Sequence, residues 1–113
     1  MKSFTLSLIL AAILVVPVAA WGLTPDQVLI VANELSPISR QIAEYYQRAR
    51  RIPANHLVRI RTEPREEIER ETFRREVAQP IADHLLRHRL PDQVLVMVLT
   101  KGVPLKIDRK SVV

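Results

Sequence analysis

The chain has 113 residues, seventeen Lys and Arg against twelve Asp and Glu, a net charge of +5, two glycines and no cysteine. That length gives one domain with a small core, and the absence of cysteine excludes disulfides and tethering through a lipidated N-terminal cysteine. A basic balance usually raises nucleic acid as a partner, but the arginines between Arg65 and Glu76 alternate with glutamates, as on a solvated helix face, so no nucleic-acid partner is expected.

Residues 1–20 read as an export leader. Met1-Lys2 is a short positive start, Phe4 to Val16 is almost wholly apolar, and Pro17 precedes the small-residue site Val18-Ala19-Ala20. The competing reading is an uncleaved membrane anchor, since the apolar stretch is nearly long enough to span. The order of the segments favours a signal peptide cleaved after Ala20, hence a secreted or periplasmic protein whose only contact with a membrane would be an uncleaved leader. Residues 21–113 then form a single α/β domain.

After the lead-in Trp21 to Pro25, Val28-Leu29-Ile30-Val31-Ala32 is a short β-branched run without polar alternation, the pattern of a strand buried on both faces. Ser36-Pro37 has the grammar of a helix start, a hydroxyl to cap free amides followed by proline at the first helical position. Ile38, Ile42, Tyr45, Tyr46 and Ala49 mark the expected apolar face of that helix, and Arg48, Arg50 and Arg51 suit its carbonyl end. Ile52-Pro53 terminates it. The next strand, 57–61, alternates arginine with apolar residues and is expected at a sheet edge, with His56 in the loop before it. Ile68, Phe73, Val77, Ile81 and Leu85 mark a second helical stripe, which Pro80 is expected to kink or split. Val94-Leu95-Val96-Met97-Val98-Leu99 reads as a third strand covered on both faces, stopped by Gly102 and Pro104. Ile107 to Val113 carries no helix signal.

Strand, helix, strand, helix, strand implies parallel pairing with right-handed crossovers. The fold class expected is α/β: a three-layer, partial doubly wound parallel sheet with strand 28–32 between 57–61 and 94–99, the order 2-1-3. Ligands bind such sheets beyond the carboxyl ends of the strands, at the switch point where the order reverses. Two loops converge there, and they supply the candidate ligand-binding residues Asn33, Glu34, Ser36, Thr100, Lys101 and Gly102. The bland alternatives stand beside them: Ser36 as a helix cap without the flanking glycines and base of a nucleophile, and Lys101-Gly102 as a tight loop without a phosphate-binding glycine run. His84 and His88 are one helical turn apart, but no third ligand accompanies them, so neither a metal nor a cofactor is expected. Strand 94–99, apolar yet at the border of this order, is expected to leave an edge open to self-association and the domain incomplete.

The stretch QVLIVANELSPISRQIAEYYQRARRIPANHLVRI, with the later VLTKGVPLKI, resembles the N-terminal part of an uncharacterised family of secreted bacterial proteins. The resemblance rests on Asn33, Ser36 and Ser39, the pair Tyr45-Tyr46, Ile52-Pro53 and the Gly102-Val103-Pro104-Leu105 loop. It implies an export route and a longer protein of which this is the front portion, but no reaction. More remotely, the order of elements is similar to the front of gingipain-type and caspase-like cysteine peptidases, whose Cys and His follow later strands. Two functional classes follow. One is a non-catalytic envelope module binding a ligand or partner at the carboxyl edge of its sheet. The other is the N-terminal fragment of a hydrolase-like enzyme with catalytic residues beyond Val113.

Overall fold

Six consecutive buried residues, Val28–Asn33, form β1, and their burial on both faces organises the rest. The computed structural model describes residues 22–108; residues 1–20, expected to be a leader cleaved after Ala20, and the last five residues lie outside that range. β1 is the middle strand of a three-stranded parallel sheet, flanked by β2 (Leu57–Ile60) and β4 (Val96–Leu99), in the order β2-β1-β4. Its register sets Ile30 beside Leu57 and Val98, and Val31 beside Val58 and Leu99. The protein is thus an α/β fold with a parallel sheet and helices. A second, two-stranded parallel sheet joins β3 (Glu67–Ile68) to β5 (Lys106–Ile107); neither short strand has a sequence signal.

Helix α1, Pro37–Arg50, packs on one face of the sheet through Ala43 and Tyr46, against Val28, Ile30, Ala32, Ile52, Leu57 and Val98. The expected inward face was a different stripe. Tyr45 is 70% exposed, Ile38 and Ile42 are also largely open to solvent, and Ala49 lies outside, while Ser39 and Ala43 are fully buried. Small side chains let the helix axis approach the sheet; the larger isoleucines a quarter-turn away cannot fit between them.

The opposite face is covered by α2, a continuous rod over 70–87. It begins as Arg70–Phe73, passes through the π-helical segment Arg74–Ala78, and continues as Gln79–Arg87. Pro80 therefore does not split the helix. The π segment lies immediately upstream, where the proline ring would clash with the preceding turn and the missing amide leaves a carbonyl unpaired. It also explains the stripe Phe73, Val77, Ile81, Leu85. A strict spacing of four drifts about 40° per step in an α-helix, about 120° over three steps, and one extra residue in a π turn takes up about 100° of that. Val77 is consequently buried in one cluster with Leu29, Val31, Val58 and Ile60, and Phe73, Ile81 and Leu85 pack against that cluster. Ile68, expected to begin this stripe, is instead buried in β3.

β4 departs from expectation. Its side chains are only partly covered: Leu95, Met97 and Leu99 are 66, 47 and 47% exposed. Met97 and Leu99 share the face of Leu29 and Val31, their neighbours in register, and Leu95 lies just before the strand, but α2 packs chiefly over β2 and leaves this outer third of the sheet uncovered. An unbroken apolar run therefore belongs here to an edge strand. His56 is likewise not an open loop residue. It is buried in the 3-10 turn Ala54–His56 with its Nδ1 3.1 Å from the Val28 carbonyl oxygen.

Candidate functional site

The carboxyl ends of β1 and β4 are tied together by side chains rather than left as open loops. Asn33, the last residue of β1, is completely buried. Its Nδ2 donates to the carbonyls of Thr62 at 2.8 Å and Gly102 at 2.9 Å. Its Oδ1 accepts from the backbone N–H of Leu35 at 3.1 Å and of Thr62 at 3.3 Å. One side chain thus fastens the loops after β1, β2 and β4.

A second chain of bonds runs beside it. The Asn33 N–H donates to Ser39 Oγ at 2.8 Å, Ser39 Oγ lies 2.5 Å from Thr100 Oγ1, and Thr100 Oγ1 donates to the Val31 carbonyl at 2.9 Å. Since Thr100 spends its proton on Val31, Ser39 donates to Thr100, and each hydroxyl is used in both senses. Ser36 caps α1 by accepting from the Ser39 N–H at 3.3 Å. Gly102 closes on that cap with φ +105°, and a Cβ there would stand 2.4 Å from Ser36 Oγ. Only glycine permits this approach.

The six sequence candidates therefore meet at one edge but divide by role. Asn33, Ser36 and Thr100 are buried and build the edge. Gly102 supplies close packing and a carbonyl. Glu34 is held by Arg59, Oε1 to Nη1 3.1 Å, across the end of the sheet. Lys101 alone among the six projects an unpaired polar group to solvent among the described residues. Sequence reasoning missed Thr62 altogether, and gave Ser39 no structural part beyond a motif position. Ser39 had a usable signal, since it shares a helical face with Ala43 and Tyr46. Thr62 had none, because its value comes from long-range placement.

Outside this latch lies a cleft of about 480 Å³. Its apolar wall is Ile38, Leu99, Val103 and Leu105; Lys101, Arg65 and Glu66 stand at its rim. Glu66 is paired with Lys106 at 3.4 Å and Arg65 more loosely with Glu63 at 3.8 Å, so Lys101 is the charge left without a partner among these. A volume of this size suits a small organic molecule. A polar cleft of about 300 Å³, bordered by Glu63, Glu69, Thr72 and Glu76, lies on the other side of Arg65. Among the described residues no group of three His, Asp or Glu side chains is placed to hold a metal ion. His84 and His88 pack ring against ring at 4.3 Å, with His84 Nε2 2.7 Å from the Asn55 carbonyl oxygen, which makes them a surface pair tying α2 to the loop before β2.

No protein-family model, no curated protein and no solved structure matches this chain.

Proposed function

We propose that this is an exported, non-catalytic α/β module that binds a small amphipathic anion in the cleft at the carboxyl edge of its sheet. The observation that carries the reading is the position and make-up of that cleft. It lies beside the β1–β4 junction, an apolar wall meets one unpaired ammonium group, and the buried latch holds the loops that frame it. An acyl or aryl body would lie against Ile38, Leu99 and Leu105, and its carboxylate or phosphate would face Lys101. The leader-like residues 1–20 and the resemblance to secreted proteins support export. The connectivity supports a partial doubly wound, three-layer plan, in which ligands sit at this edge.

Octanoate and octylamine make the test, since they share a chain and differ in head charge. By calorimetry, octanoate should bind and octylamine should not. Lys101→Glu should weaken octanoate by about tenfold, the value of one charge-assisted contact of about 1.4 kcal/mol. Equal binding of the two probes, or octanoate affinity untouched by Lys101→Glu, would overturn the proposal.

A further inference from the structure

Both helices run back against the parallel strands, so both finish at the amino edge of the sheet, the end away from Lys101. Each closes through an arginine where glycine normally stands: Arg51 has φ 55° and Arg89 φ 56°. Arg48, Arg50 and Arg87 lie in the last turns before them. Among the described residues no carboxylate forms an ion pair with any of these arginines; the cations that are paired are Arg59, Arg65, Arg74, Arg75 and Lys106. Cations at a helix carboxyl end complement its dipole, and Arg48 and Arg50 already do so for α1. The dipole does not call for a further arginine in a backbone conformation that its Cβ disfavours.

At the end of α1 these side chains border a cavity. A cleft of about 430 Å³ opens between the last turn of α1 and the lead-in to β1, with Leu23, Val28 and Ile52 as apolar lining and Tyr46, Arg50 and Arg51 beside them. Arg50 stands over the Tyr46 ring at 5.7 Å, a contact that takes up none of its N–H donors. The N–H groups of Arg51 and Ile52 tie off the Arg48 and Gln47 carbonyls at 3.3 and 3.0 Å, which removes bare acceptors from the helix end. Asp26 follows Pro25 of the cleft wall, but its carboxylate is occupied by the Thr24 hydroxyl and Gln93 Nε2.

We propose that this cleft is a second binding site, selective for a phosphate monoester carried on a compact apolar body. Two guanidinium groups, each a planar fork of donors, match a group with close to two negative charges and three terminal oxygens. A monocarboxylate fills only one fork. The apolar body lies against Leu23, Val28 and Ile52. Lys101, at the other edge, offers a single ammonium group and no fork, so the two clefts differ in the anion they favour. A phosphate monoester occurs both on small soluble molecules and as the headgroup of phosphatidic acid, and the cleft chemistry is common to both.

Phenyl phosphate and benzoate are the soluble probes, and phosphatidylcholine vesicles with or without phosphatidic acid test the lipid source. In amide NMR spectra of the full-length chain, phenyl phosphate should move signals of residues 46–52 and bind there about tenfold more tightly than benzoate. Arg51→Gly preserves the helix closure and should weaken phenyl phosphate about tenfold, as should Arg50→Gln. Arg87→Gln removes a charge from the same edge outside the cleft; it and Lys101→Glu should each change the affinity less than about twofold. Capture by phosphatidic acid vesicles in excess of phosphatidylcholine, lost in Arg51→Gly, supports the site with a lipid as its source; phenyl phosphate binding, lost in the same variant, supports it with a soluble ester. A loss in Arg87→Gln equal to that in Arg51→Gly would show a diffuse basic edge and overturn the proposal. So would shifts confined to residues 99–105, or no response to either source. Octanoate binding at Lys101 is read at those other residues, so either proposal can fail without the other.

Discussion

Asn33 joins three chain segments with one side chain, and the direction of its four hydrogen bonds makes amide chemistry indispensable. Its nitrogen faces two carbonyl oxygens, at 2.8 and 2.9 Å, and its oxygen faces two N–H groups. Asn33→Asp keeps the shape and inverts half of this, setting a carboxylate oxygen against the carbonyls of Thr62 and Gly102. Two lost donor bonds in a buried site should cost about 3 kcal/mol at neutral pH. Protonation would restore a donor, so the introduced carboxyl should titrate well above the ordinary value of about 3.9. A folded-state pKa raised in this way gives stability that is present below the unfolded pKa and lost as pH rises through the folded one. Urea midpoints against the parent chain should therefore show a deficit that widens from pH 4 to pH 8; a constant deficit would mean that the amide nitrogen does not donate. The edge as a location was legible in the sequence, because strand order alone places it. The division of labour was not, since whether a polar residue faces a ligand or its own backbone depends on partners 29 and 69 residues away.

α1 is punctuated at both ends. Ser36 caps the first turn, and Arg51 closes the last in the left-handed region at φ 55°, with its N–H reaching Arg48 O and the Ile52 N–H reaching Gln47 O at 3.0 Å. This paired closure normally takes glycine, and an arginine there carries a Cβ that the left-handed region disfavours. Arg51→Gly should stabilise the protein by about 1 kcal/mol, read as a higher urea midpoint with an unchanged slope; no gain would mean that the Arg51 side chain contributes packing equal to its backbone strain. The start of this helix was legible because capping is local chemistry. Its inward face was not, since the stripes through Ile42 and through Ala43 both have helical period and only the closeness of the sheet selects the smaller one. The same limit applies to β4: an apolar run records what a strand could bury, and the run at 94–99 does not say how much of the sheet α2 will reach. β3 and β5, two residues each, are created by tertiary pairing and leave no periodic trace.

At the scale of the molecule, β1 is the one element shared by both cores. Leu29 points to the α2 side and Ile30 to the α1 side, and both are fully buried. Truncating either to alanine should cost about 2–5 kcal/mol through lost transfer energy and the cavity left behind. Against a typical domain stability of about 5–15 kcal/mol, either loss is a large share of the total. The physical question is whether the two faces melt separately. β1 is hydrogen-bonded on both sides, and the Asn33 and Thr100 bonds lock its end to the loops on either face. Loosening one face must therefore displace the strand that floors the other. Hydrogen exchange followed by mass spectrometry resolves this, because peptides from 37–50 and from 70–87 report the two faces independently. Leu29→Ala and Ile30→Ala should each raise exchange in both helices by the same factor, as one cooperative unit requires. Faster exchange confined to α1 in Ile30→Ala, or to α2 in Leu29→Ala, would show two separable halves joined only by a common strand.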